Sequence, residues 1–208
     1  MLTTTQAFAF LLAALVLTAT PGPDNLMVLS VGMSKGRRCG IAFGLGCALG
    51  CLSHTLLAVI GVGALLAASP TAFMLLKWAG GAYLVWLGIQ ALRHAGAVRI
   101  ASDQAATQTL GRYFAKGLVA NAINPKVVLF FLSFLPQFVD ASRGGMEWQL
   151  GLLGLLFTAQ AAVLFGLLGY FSGSIGVWLN RKPSVGQWLD RLAGTVFIGL
   201  GLRMVVTR

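Results

Sequence analysis

The sequence predicts an all-α integral membrane protein: six transmembrane helices arranged as a 3+3 inverted-topology repeat, with helices 1 and 4 broken. Three observations lead there. Hydrophobic residues make up 57% of the 208 residues and charged residues only 10%, whereas a soluble domain carries about 25% charged residues. Such a chain cannot cover itself in water. Six apolar runs, at about residues 6–33, 39–68, 71–93, 113–139, 148–179 and 188–206, are long enough to cross ~30 Å of hydrocarbon. Runs one and four each contain a polar interruption with proline, Thr20-Pro21-Gly22-Pro23-Asp24-Asn25 and Asn121-Ala122-Ile123-Asn124-Pro125-Lys126.

The first run needs a check against a signal peptide, because residues 8–19 form an apolar core and Thr18-Ala19-Thr20 resembles a cleavage site. No Lys or Arg precedes it and Pro21 follows directly, so it reads as the first span. Short breakers at residues 34–38, 69–70, 140–147 and 180–187 separate the other runs. The longer polar stretch 94–112 divides one transmembrane domain, 1–208, into repeats of about 1–95 and 112–208, joined by a cytoplasmic linker over 96–111. Three spans per half is an odd number, so equivalent segments run in opposite directions. Span three, with Ala79-Gly80-Gly81-Ala82-Tyr83-Leu84 before Leu87-Gly88, is echoed in span six by Ala193-Gly194-Thr195-Val196-Phe197-Ile198 before Leu200-Gly201. Inverted repeats with broken helices are a common architecture of secondary transporters. The 27 glycines suit close helix packing. Gly44, Gly46 and Gly50 mark a close approach within or between subunits, which leaves a homodimer open. Trp78, Tyr113, Trp148 and Trp188, near span ends, read as interface anchors.

Basic residues set the orientation. Lys35, Arg37, Arg38, Arg93, Arg99, Arg112, Lys116, Arg181, Lys182 and Arg191 fall on one side, against Lys77, Arg143, Arg203 and Arg208 on the other. The richer side is expected to be cytoplasmic, which places both termini outside. The net charge of +10 therefore faces headgroups and cytoplasm. It forms no stripe interleaved with aromatics, so no nucleic-acid partner is expected. Cys39, Cys47 and Cys51 show no CxxC or Cys/His spacing, so neither metal nor cofactor is expected and packing is their reading. Intramembrane proteolysis would need two facing aspartates or a Ser/His pair, and metal chemistry would need clustered His and acids. Asp24 is the single acid well inside a span, and His54 and His94 stand far apart, so no enzyme is expected.

The two breaks are the candidate site. From Ala7 to Pro21 is ~21 Å of helix, and from Tyr113 to Pro125 ~18 Å, at 1.5 Å per residue. Entering from opposite faces, both breaks come to mid-bilayer. Irregular backbone survives there only against protein or a watery cavity. Asp24 and Lys126 each follow a proline of their break, and buried charges of this kind pair with each other or mark a pathway. Asn124 is a natural N-cap that puts Lys126 in the first turn of a helix beginning at Pro125. The amide end of that helix and the lysine suit a carboxylate. Carbonyls released at Thr18 to Thr20, beside Asp24, suit an ammonium group. The solute implied is a small zwitterion such as an amino acid, with Asn25 and Asn121 lining the site. The competing reading is a structural Asp24–Lys126 ion pair, and an intermediate one has the two pair and then separate around substrate. Asp24 could also carry a proton and couple transport to the proton gradient. His54 and Gln160 are further candidates to contact substrate, the alternative being hydrogen bonds to neighbouring helices.

With Thr20-Pro21-Gly22-Pro23 in span one, Gly117-x-x-x-Asn121-x-x-Asn124-Pro125-Lys126 in span four, and Phe130-Phe131 and Pro136-Gln137-Phe138-Val139 following in order, the chain resembles the lysine-exporter (LysE) superfamily. Within it, the homoserine/threonine-efflux (RhtB) branch is the nearest likeness. The resemblance covers essentially the whole chain. It implies six helices in a bacterial inner membrane and export of amino acids or their derivatives driven by the proton motive force, as an antiporter. It carries over Pro21, Gly22, Pro23, Asn124, Pro125 and Lys126 as motif residues, and leaves the cargo open. Two rivals remain. Distant relatives in the superfamily pass electrons through intramembrane cysteines, which would need thiols where Asp24 and Lys126 stand. A passive channel for small solutes is the other.

Overall fold

The computed structural model describes residues 2–93 and 108–206, and these are helical with no strand among them. Helix α1 (Thr4–Ala19) starts at a capping box. The Thr3 hydroxyl accepts from the Gln6 amide at 3.1 Å, and the Gln6 side chain accepts from the Thr3 amide at 2.8 Å. Pro21 forces Thr20 into extended backbone and ends the helix. Helix α2 (Pro23–Lys35) then begins with proline at its first position, where no amide is needed. The two halves of this span meet at 56°. Gly36, at φ 89°, supplies the left-handed turn into α3 (Arg37–Ala68), and α4 (Pro70–Arg93) follows. In the second half, α5 (Leu110–Ala122) starts at a Thr109 cap and stops at Ile123-Asn124. Helix α6 (Pro125–Leu129) runs into a π-helical turn, Phe130–Phe134, and a 3₁₀ turn, Leu135–Phe138. This span is bent by 51°. Helices α7 (Met146–Tyr170), α8 (Ser172–Arg181) and α9 (Pro183–Val206) complete the chain. Both breaks stand where the prolines place them.

Helices α3, α4 and α7 are each long and apolar enough to cross a membrane, and the two bent pairs bring that number to five. Helix α9 has 24 residues, but Asp190, Arg191 and Arg203 fall inside it. Apolar side chains point outward, among them Ile60 and Val163 at 64% exposure. On an all-helical chain of this composition they face lipid tails rather than water. The protein is therefore a multi-pass α-helical membrane protein.

Helix α3 lies between α5 and α7, and α4 packs along α9. Glycines bring the backbones together. A Cβ on Gly88 would meet the Gly194 carbonyl at 2.6 Å, and one on Gly194 would meet the Gly88 carbonyl at 2.7 Å. Gly81 and Gly201 repeat this reciprocal contact one segment along. The echoed motifs of spans three and six are thus one seam. Gly46 and Gly50 serve the α3–α5 contact within the subunit, against Phe114 and Asn121.

Two expectations need amendment. The run 148–179 is two helices, because the buried Ser172 hydroxyl bonds the Gly169 carbonyl at 2.8 Å and wedges against Gly32, diverting α8 onto α2. Tyr113 is buried and its hydroxyl accepts from the Gln108 amide, so it is no interface anchor, unlike the exposed Trp148 and Trp188. Most of the linker expected over 96–111 lies outside the described residues.

Candidate functional site

The two bends bring their polar residues together in the protein interior. Asp24, Asn25, Asn121, Asn124 and Lys126 are each at most 8% exposed and line one cavity together with Gly22. Its volume is about 20 Å³, room for little more than one water molecule.

Each side chain is held by a backbone feature of its break. The Asn124 side chain accepts from the Lys126 amide at 3.1 Å, the N-cap expected from sequence. Asn25 donates to the Thr18 carbonyl at 2.8 Å, one of the acceptors left where α1 ends. Lys126 reaches across the cavity and donates from Nζ to the Thr20 carbonyl at 3.1 Å, with the Phe197 ring centroid 5.3 Å away. Gly22 permits that approach, since a Cβ there would stand 3.2 Å from Nζ. Asn121 donates to Asp24 Oδ2 at 2.8 Å, joining the two breaks. Asp24 Oδ1 is buried and accepts no hydrogen bond.

The ion-pair reading is corrected by this arrangement. Arg143 and Asp140 form an ion pair at the surface, whereas no N–O approach within 4.0 Å joins Lys126 to Asp24. The reason is geometric. Thr20 stands past the last residue of α1 in extended backbone, so its carbonyl lies outside the helical ladder and within reach of the ammonium. Asp24 takes the Asn121 amide instead. A carboxylate oxygen without a donor and an ammonium on a neutral carbonyl thus share one small cavity. Unmet polar groups of this kind are costly in a static core.

His54 and Gln160 sit one layer away and do not line the cavity. His54 donates from Nε2 to the Asn121 carbonyl at 3.0 Å, while its Nδ1 is buried without a partner. Gln160 donates to the Thr18 hydroxyl at 2.8 Å. Both hold the ends of the broken helices, which is the neighbouring-helix alternative. Sequence reasoning missed the apolar wall, made by Leu17, Cys51, Val127, Phe157 and Phe165. Cys51 packs as expected but also faces the site, with Sγ 3.5 Å from Asn121 Oδ1. Cys51 and Asn121 come together where Gly50 lets α5 lie against α3, and no local signal in the sequence gives that contact.

Comparison with known proteins gives the family. The model of the LysE type translocator family matches residues 15–208. A membrane protein of Vibrio cholerae, itself uncharacterised, is 34% identical over 96% of both chains. The homoserine/homoserine lactone efflux protein of Salmonella typhimurium is 31% identical over 97% of this chain and 96% of its own. The leucine efflux protein of Salmonella choleraesuis is 28% identical over 95% and 93%. No solved structure matches the chain.

Proposed function

The chain belongs to the LysE translocator family, and on that footing we propose that it exports small neutral α-amino acids or their derivatives, in exchange for protons, through the cavity between its two helix breaks. The observation that carries this reading is the pairing inside that cavity. Lys126 Nζ rests on the Thr20 carbonyl while Asp24 Oδ1 accepts nothing. An ammonium already sits on a carbonyl where a helix ends, so the site suits a second ammonium competing for the same acceptor. A substrate –NH₃⁺ takes Thr20 and Asp24 Oδ1, and the displaced Lys126 turns to the substrate carboxylate. With a zwitterion bound, the net charge of the site is unchanged, which matters at this depth in a membrane.

The cargo class follows from the walls. Leu17, Val127, Phe157 and Phe165 present apolar surface opposite the polar groups, a place for a short uncharged side chain. Homoserine, homoserine lactone and leucine, which appear in the relatives' names, share an α-ammonium group but differ in side chain, and the lactone has no free carboxylate. The common demand is on the Asp24 end. The cavity is far smaller than an amino acid, so binding requires the half-helices to move apart about their breaks, the alternating-access motion of transporters with broken helices.

Proton coupling rests on the same carboxylate. Once the substrate ammonium leaves, Asp24 takes a proton from the outside and releases it to the cytoplasm when the next substrate binds. We further read α9 as the sixth span and the whole as a 3+3 inverted repeat. In each half a broken helix is followed by a long one and then by a glycine-seamed one. We take the side rich in basic residues as cytoplasmic, with both termini on the other side, and the membrane as the bacterial inner membrane that the family resemblance implies.

The test is efflux from proteoliposomes loaded with a panel of amino acids, with and without an imposed pH gradient. Saturable efflux of neutral amino acids, accelerated by the gradient and lost in Lys126→Ala, is the expected result. Efflux indifferent to the gradient removes proton coupling. Full transport in both Asp24→Asn and Lys126→Ala removes the site assignment, and absence of counterflow replaces the carrier by a pore.

A further inference from the structure

We infer that a plug of phenylalanine rings, hinged on the π-helical turn of the fourth span, is the gate between the central cavity and an outer vestibule. The inference rests on the transport reading for its purpose, but its geometry is independent of cargo and coupling.

A second cavity, of about 510 Å³, opens where α1 begins and α9 ends, and Gln6, Phe134, Phe138 and Arg203 are among its walls. Between this vestibule and the central cavity stands a continuous chain of rings. Phe157, in the wall of the central cavity, lies 5.4 Å from Phe130 and 6.5 Å from Phe10. Phe10 in turn lies 5.3 Å from Phe138, and Phe130 lies 5.1 Å from Phe134, which brings the chain to the vestibule wall. Phe10, Phe130, Phe134 and Phe157 are each at most 3% exposed, so no water-wide path passes between them. Along α1 the plug is ~10 Å thick, from Phe10 to Leu17 at 1.5 Å per residue. A polar solute cannot cross it without ring movement.

The backbone beneath the rings is built to move. Three of the plug's members, Phe130, Phe134 and Phe138, lie on a segment that changes from π to 3₁₀ pitch within nine residues. A π turn holds one residue more than an α turn and is concentrated at functional sites. Returning it to α geometry rotates everything beyond it by about 100°, one residue's worth of helical turn. That rotation carries Phe134 and Phe138 away from Phe10. Side-chain clasps hold the closed form. Gln137 donates to the Ser133 carbonyl at 3.1 Å, Ser133 donates to the Leu76 carbonyl at 3.2 Å, and Gln6 donates to the Phe138 carbonyl at 3.3 Å. These bonds are polar and exchangeable, unlike the apolar seams elsewhere.

Cys51, in the wall of the central cavity, is a native reporter of access. The full chain in proteoliposomes is exposed, on one side at a time, to a small membrane-impermeant cationic methanethiosulfonate, and labelled positions are mapped by mass spectrometry. Thr5→Cys identifies the vestibule side. The expected result is Cys51 labelled at least tenfold more slowly than Thr5→Cys from that side in the parent. Phe10→Ala raises the Cys51 rate at least tenfold, and Phe138→Ala, a half-buried position at the vestibule edge, raises it as well. Cys51 labelled as fast as Thr5→Cys in the parent overturns the gate without any variant being needed, and so does an unchanged rate in either folded variant. The transport reading fails separately. A parent without saturable amino-acid exchange whose Cys51 labelling still answers to Phe10→Ala keeps the gate and loses the cargo.

Discussion

Replacing Asn121 by alanine tests the link between the two helix breaks most directly. The Asn121 amide is the donor to Asp24 Oδ2 at 2.8 Å, and Oδ1 has none. Asn121→Ala therefore leaves a buried carboxylate with no hydrogen bond at all. A hydrogen bond to a charged group contributes about 1.5–3 kcal/mol, which corresponds to a loss of about 10- to 150-fold in kcat/KM for a site that must keep Asp24 aimed at the substrate ammonium. The His54 bond to the Asn121 carbonyl survives, because it is made to backbone. Asp24→Asn is the complementary change. It keeps the shape and the Asn121 contact but removes the charge, and it is expected to abolish concentrative efflux altogether. Since Asn121 acts through Asp24, the double variant is expected to be no worse than Asp24→Asn alone, a coupling that a double-mutant cycle reads directly. The assay is counterflow of radiolabelled amino acid in proteoliposomes, with thermal unfolding in detergent as the folding control. Efflux in Asn121→Ala within twofold of the parent, or losses that multiply in the double variant, would refute the argument.

Two further outcomes follow from the packing and the loops. Gly88→Val puts a Cβ 2.6 Å from the Gly194 carbonyl in the α4–α9 seam, and overpacking of this kind costs ~1–3 kcal/mol. A clearly lowered Tm in detergent is expected, whereas Gly61→Ala, which meets nothing within 4 Å, leaves Tm unchanged or slightly raised. In the surface loop before α7, hydrogen bonds from Ser142 and the nearby Arg143 hold the Asp140 carboxyl below its ordinary 3.8. A carboxyl lowered in the folded state stabilises above its unfolded value and loses that contribution as pH falls through the folded one. Amide exchange in residues 140–149 is therefore expected to speed up as pH drops below about 4, after correction for the intrinsic rate. Asp140→Asn should flatten that response.

Much of this molecule was legible along the chain because the deciding physics is local. A composition that cannot be dissolved, prolines that remove amide donors at Pro21 and Pro125, and charges at Asp24 and Lys126 within apolar runs act within a few residues of themselves. They specify membrane burial, two unwound segments and a polar site between them without reference to any neighbour. The Asn124 cap on Lys126, two residues away, was readable for the same reason.

What tertiary structure alone decided is partnership. Lys126 bonds the Thr20 carbonyl, 106 positions away, in preference to Asp24, while Asn121 takes Asp24 across 97. His54 and Gln160 bond the ends of the broken helices, and Cys51, Phe157 and Phe165 line the cavity with no sequence signal to announce them. Even α8 leaves its span because one serine meets one glycine of α2. The physical reason is common to all of these. A hydrogen bond is won or lost over a few tenths of an ångström, and such distances are set by bends of 56° and 51° and by glycine seams between helices far apart in the chain.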